Sequence, residues 1–135
     1  MNTFAFRLKP GADLKKEIEA FAHKNNLKAA FIITCVGGLQ QVTMRMAGAK
    51  PDAQDIRIIT EDFEIVSLVG TTGSNGSHFH IAVSNNEGAV LGGHLKEGTV
   101  IHPTAEIVLG EMRDTTFSRA MDEETGFAEL VVEYK

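Results

Sequence analysis

The chain has 135 residues, 43% apolar and 23% charged, which is the composition of one globular domain with room for a sizeable core, and it excludes disordered, collagen-like and low-complexity classes. Its 13 Lys and Arg against 18 Asp and Glu give a net charge of -5, the wrong sign for a generic binder of a phosphate backbone. No apolar run approaches the ~20 residues of a membrane span, and Met1-Asn2-Thr3-Phe4 lacks the charged start and apolar core of a signal peptide, so no membrane partner and a cytoplasmic location are expected. A single cysteine, Cys35, rules out an internal disulfide and a cysteine-rich zinc module. Any metal site must therefore be built from histidines and carboxylates.

From the N-terminus, Thr3 to Lys9 alternates so that Phe4, Phe6 and Leu8 share one face of a strand, which Pro10-Gly11 ends. Leu14, Ile18, Phe21 and Ala22 then recur at helical spacing behind Asp13 as a cap, predicting an amphipathic helix that stops near Asn25-Asn26. Ala29 to Val36 is apolar except for Thr34, as a strand covered on both faces should be, and Gly37-Gly38 is expected to break it. Cys35 lies inside that run and reads as core, because a reactive thiol wants an electropositive, partly exposed setting. Val42, Met44 and Met46 alternate with polar residues as a further strand, followed by a loop from Gly48 to Asp55. Strand patterns continue at 56–60, 63–70, 78–84, 104–109 and 127–134. Residues 111–120 are ambiguous, with a strand pairing to 127–134 favoured across Asp122 to Gly126. The Gly-rich stretch 70–76 lacks the Gly-Lys-Ser/Thr of a phosphate loop and reads as a connection between strands.

Four of the five histidines fall between positions 78 and 102. On a strand, His78 and His80 project from one face while Phe79, Ile81 and Val83 project from the other. Asn85-Asn86-Glu87-Gly88 suits a three-residue hairpin loop with Gly88 as a left-handed bulge, and counting outward pairs Ser84 with Val90, Ala82 with Gly92, and His80 with His94. Cross-strand partners share a face with β-carbons ~4.5 to 5.5 Å apart, so three imidazoles converge on one patch. Three nitrogens at ~2.0 to 2.1 Å would fill three corners of a zinc tetrahedron and leave the fourth for water, a small-molecule ligand or a carboxylate. A tight two-residue turn would instead send His94 to the opposite face, and the competing reading is three solvated histidines beside a sheet. His23 on the helix and His102 before Pro103 read as surface residues.

These segments resemble the PPC domain, the plant and prokaryote conserved domain that accompanies AT-hooks in plant nuclear proteins. The likeness runs through Arg7-Leu8-Lys9-Pro10-Gly11-Ala12-Asp13-Leu14, Phe63 to Gly70, His78-Phe79-His80-Ile81, Gly92-Gly93-His94-Leu95 and Thr104-Ala105-Glu106-Ile107-Val108, and it covers nearly the whole chain, 1–135, as one domain. It implies an α+β fold, an antiparallel sheet flanked by helices, assembled as a homotrimer, with a metal held in prokaryotic members by three histidines. Carried over by position, the ligands are His78, His80 and His94. The family's DNA-binding label is weakened here, because no Arg-Gly-Arg-Pro hook occurs and no Lys/Arg cluster is interleaved with aromatics. The cupins, another His-x-His family, place a glutamate three or four residues after the second histidine, where this chain has Val83 and Ser84.

Three functional readings remain open on the sequence. One is a zinc-dependent hydrolase or lyase in which an open metal position polarises a carbonyl or activates water, with Glu64 and Glu106 as candidate acid or base because each interrupts an apolar strand. Another is a trimeric scaffold with a structural metal, and a third is a DNA-associated module. Zinc suits the imidazole set, as would nickel, iron or copper.

Overall fold

The computed structural model describes residues 1–135. Its elements are β1 (Asn2–Leu8), α1 (Leu14–Lys24), β2 (Ala29–Arg45), β3 (Ile56–Ile59), β4 (Phe63–Gly73), β5 (Gly76–Ser84), β6 (Val90–Leu95), β7 (Val100–Glu111), β8 (Thr115–Met121) and β9 (Ala128–Tyr134). Seven strands make one antiparallel sheet in the order β1-β7-β2-β4-β5-β6 with β3 on β2, while β8 and β9 form a separate ribbon. This is the α+β, mainly antiparallel architecture that the family resemblance implies, with a single α-helix.

The helix forms where its apolar stripe falls: Leu14, Ile18 and Ala22 are buried, and Phe21 stacks on Phe6 at 4.0 Å with Phe4 edge-on at 6.0 Å. Asp13 caps it by accepting from the Lys16 N–H at 3.0 Å. Its second oxygen accepts from the Gly98 N–H at 2.7 Å, tying the start of α1 to the β6–β7 connection. At the other end the Asn25 side chain donates to the Phe21 carbonyl at 2.9 Å and Asn26 turns left-handed.

The strand expected to stop at Gly37-Gly38 does not stop. β2 runs unbroken for 17 residues, joining the two segments that read as separate strands. The glycines serve close approach instead: a β-carbon on Gly37 would fall 2.2 Å from the Thr104 carbonyl oxygen, and one on Gly38 would fall 2.6 Å from that of His102. The register shifts against β7 at these positions, and the strand bends across the sheet. The first part of β2 pairs with β4 and β7, and its end pairs with β3 and β6, through Met44 opposite Leu95 and Arg45 opposite His94. The sheet thereby curls back on itself.

Other boundaries move in the same direction. Most of the glycine-rich stretch is strand, with only Ser74-Asn75 between β4 and β5, and β7 extends past both expected ends. The ambiguous segment after Glu111 contains β8, which pairs with β9 from Thr115–Tyr134 to Met121–Ala128. One core of 21 buried residues joins α1 to the inner face of the sheet, including Phe79, Ile81 and Val83 of β5. The outer face is not covered within the chain: Ile33 is 45% exposed, Val36 56%, Val66 55% and Val69 53%. The expectation that the segment ending at Val36 is covered on both sides therefore fails within a single chain, because the lone helix packs on one side only. Cys35 packs partly against the core, and burial pushes its thiol up to about 12, away from nucleophile chemistry. No helix is long and apolar enough to cross a membrane.

Candidate metal centre

The turn between β5 and β6 decides where the histidines meet. The Asn85 N–H donates to the Ala89 carbonyl and the Gly88 N–H to the Asn85 carbonyl, both at 3.0 Å, with Gly88 at φ 79. The Asn85 side-chain oxygen accepts from the N–H groups of Glu87 and Ala89, each at 3.0 Å. This is the three-residue, glycine-bulged loop that the sequence predicts. The register follows from it: Ser84 opposes Val90, Ala82 opposes Gly92, and His80 opposes His94. Phe79 is fully buried between them in sequence, so its neighbours turn outward.

The three rings converge. Their centroids lie 4.8 Å apart for His78 and His80, 4.9 Å for His78 and His94, and 5.7 Å for His80 and His94. One ring nitrogen from each falls within 4.8 Å of the others, and the Nε2 atoms of His78 and His80 are 3.0 Å apart. Tetrahedral nitrogens at the zinc distance stand ~3.3 Å apart, so the cluster fits one first-row ion with small side-chain adjustments. The group is these three histidines, and no carboxylate or thiol of the same chain joins it.

The electrostatics favour the neutral form at His94 and His78. Burial, and then the nearby Arg45, push His94 down to about 3. His78 is lowered by burial, by His80 and by Arg119, with Glu129 pulling the other way. A neutral imidazole offers the free lone pair that a metal needs.

Several residues at the centre escape sequence reasoning. Arg45 stands beside His94 because the end of β2 pairs with β6, and its Nη2 lies 3.4 Å from His94 Nδ1. Its guanidinium sits 5.2 Å from the centre of the Phe127 ring. Arg119 of β8 donates to the Thr71 hydroxyl at 3.1 Å, and Thr71 opposes His78 across β4 and β5. No local pattern announces these contacts, since each depends on a pairing between strands far apart in the chain. A recess of about 410 Å³ opens beside His80 and His94, with Arg45, Gly92 and Gly93 in its wall. A smaller one of about 220 Å³ lies against His78, His80 and Thr71.

The other candidates lie elsewhere. His23 is exposed on α1. His102 and Glu64 line a separate recess of about 260 Å³. Glu64 opposes Ser84, four residues along β5 from His80, which is ~13 Å at strand rise. Glu106 is on β7, separated from β5 by β2 and β4. Both carboxylates are exposed, and neither reaches the triad within one chain.

A curled antiparallel sheet with one flanking helix and a histidine-bearing hairpin defines the class: the chain belongs to the Plants and Prokaryotes Conserved (PCC) domain family, whose model matches residues 1–113. Among solved structures, a hypothetical protein from Salmonella cholerae-suis is similar at 37% identity and a TM-score of 0.92, covering 99% of this chain and 94% of that one. The plant- and prokaryote-conserved protein of Pyrococcus horikoshii is 28% identical with a TM-score of 0.83, over 95% of this chain and 90% of its own. A protein of Archaeoglobus fulgidus described as metal-containing is 26% identical, with a TM-score of 0.81, over 97% of this chain and 94% of its own. The bifunctional protein GlmU of Synechococcus sp. (strain JA-3-3Ab) is 41% identical over 133 residues, 98% of this chain but 21% of that protein. The chain thus spans about a fifth of the length of the curated relatives it matches.

Proposed function

We propose that this protein is a homotrimeric PCC-domain protein that holds one divalent metal ion, zinc by preference, on His78, His80 and His94, and leaves a coordination position open to a small molecule. One observation carries the reading: a ring nitrogen of each histidine lies within 4.8 Å of the other two on a single ribbon. Support comes from the donor set, since three neutral imidazoles with no fourth protein ligand are the pattern of zinc sites that keep an exchangeable position. The metal-containing relative from Archaeoglobus fulgidus is consistent with it. Bound there, the ion would act as a Lewis acid towards an oxygen of whatever occupies that position. The chain's own residues supply the remainder: Phe79 anchors the hairpin in the core, Gly92 lets β6 approach the β5 backbone closely beside the rings, and Arg45 places positive charge next to His94.

The homotrimer is supported by the apolar outer face. Val69 opposes His80 in register, so the exposed strip through Val36, Val66 and Val69 adjoins the triad, and a chain this small gains from covering it.

Zinc titration against a chromophoric chelator tests the reading on protein made without an affinity tag. Wild type should take up one equivalent per chain, and each single change, His78→Ala, His80→Ala or His94→Ala, should weaken uptake by ~100-fold or more with the fold intact by circular dichroism. Undiminished stoichiometric uptake in all three variants would remove the assignment.

A further inference from the structure

Arg45 and Arg119 stand at the centre outside any salt bridge, and the one carboxylate that acts on the rings is Glu129, felt at His78. The ion pairs of the molecule are Lys15–Glu19, Lys16–Glu97 and Arg57–Asp55, all away from the histidines. In a chain of net charge -5, two guanidiniums left unpaired beside the same three rings form a local reversal of charge. An anion would find complementary charge there.

The chemistry of the triad sharpens the point. A neutral imidazole has one acceptor lone pair, and a metal takes it whichever ring nitrogen binds. Once His94 is a ligand it can no longer accept from Arg45, so the 3.4 Å contact between them is lost as a hydrogen bond. Arg45 then lies against the Phe127 ring, which cannot satisfy its in-plane N–H donors. Arg45 also lines the recess of about 410 Å³ beside His80 and His94. That volume is near the lower end of the ~300 to 1,000 Å³ usual for ligand pockets.

We propose that the small molecule taken by this centre is an organic carboxylate, held by the guanidinium of Arg45, with Arg119 strengthening the positive field from the far side of the triad. The inference rests on the metal reading above and names the ligand class for the same site. A carboxylate matches the planar fork of an arginine in a way that a neutral ligand does not. Arg45 is a binding residue in this account, and Phe127 is the platform that keeps its edge turned outward.

The test uses the whole chain loaded with one equivalent of Co(II), whose visible absorption reports changes in coordination. Acetate is the probe, with neutral acetamide and inorganic phosphate as comparators. Acetate should shift the spectrum saturably and acetamide should not, while Arg45→Met should weaken the acetate midpoint ~10-fold or more at unchanged cobalt content. Arg45→Lys should restore part of that loss, because it returns the charge without the fork. Stoichiometric cobalt with no response to acetate, or an unchanged midpoint in Arg45→Met, overturns the carboxylate inference and leaves the metal reading standing. Saturation by phosphate but not acetate also overturns it, in favour of a phosphate-bearing ligand. A chain that takes up no cobalt overturns both.

Discussion

His78, His80 and His94 meet because two simple periodicities act together: alternation along a strand and the residue count of a bulged turn. Those are local, so the triad was legible in the sequence once the turn was read as three residues closed by Gly88. Arg45 was not legible, because it reaches His94 only through the closure of β2 onto β6, a contact spanning 49 positions. Glu64 and Glu106 interrupt apolar strands as charges, and both are exposed on the outer face of the sheet. Their alternation fits solvent as well as it fits catalysis. The residue scale also fixes a pH dependence. His94 and His78 are lowered from 6.5 in the folded chain, so between 6.5 and the folded values the unfolded chain binds protons that the folded chain does not. Stability contributed by these groups is present above pH 6.5 and is lost as pH falls toward the value of about 3 at His94. Metal-free protein should therefore show a falling denaturant midpoint from pH 7 to pH 4, and the fall should shrink in His94→Ala; an equal fall in that variant would contradict the attribution.

At the scale of elements, glycines were the least readable residues, because one residue type serves opposite ends. Gly37-Gly38 has the sequence signature of a strand break, yet the pair allows β7 to lie close to β2, and the strand runs on. Gly88 is legible because a turn with Asn85 at its start gives glycine a local reason. Two substitutions separate these roles. At Gly88 a β-carbon meets nothing within 4 Å, so Gly88→Ala bears only the positive-φ penalty of about 1 kcal/mol. At Gly70, φ 140, a β-carbon would fall 1.9 Å from the His78 carbonyl oxygen. That neighbour is backbone and cannot rotate away, so Gly70→Ala should cost ~3 kcal/mol or more and part β4 from the strand that carries His78 and His80. Chemical denaturation of the two variants measures the difference, and equal losses would show that β4 is free to move. The β8–β9 ribbon lies beyond the family match at residue 113, yet it brings Arg119, Phe127 and Glu129 to the centre. Its strands were anticipated from alternation, but their placement against the triad was not, since nothing local fixes how a ribbon docks.

For the molecule as a whole, composition points to a single acidic globular domain, patterning to many strands and one helix, and the family resemblance to an antiparallel sheet. What they could not reveal was the open outer face, because an apolar strand reads alike whether its cover comes from the same chain or another. If that face is covered by copies, light scattering should give three times the chain mass of 14.6 kDa, and Val36→Asp with Val66→Asp should reduce it to one. A single-chain mass for wild type at micromolar concentration would contradict the homotrimer. The net charge of -5 likewise predicts weak binding to duplex DNA near physiological salt; tight, salt-sensitive binding in a fluorescence anisotropy titration would contradict that. The central claim is that three imidazoles on one ribbon hold one ion. Anomalous diffraction at the zinc edge, from crystals of untagged protein grown with zinc, tests it most directly. The account predicts one peak per chain at ~2.0 to 2.1 Å from a ring nitrogen of each of His78, His80 and His94. No peak at the triad, or one that excludes the ring at position 94, would contradict it.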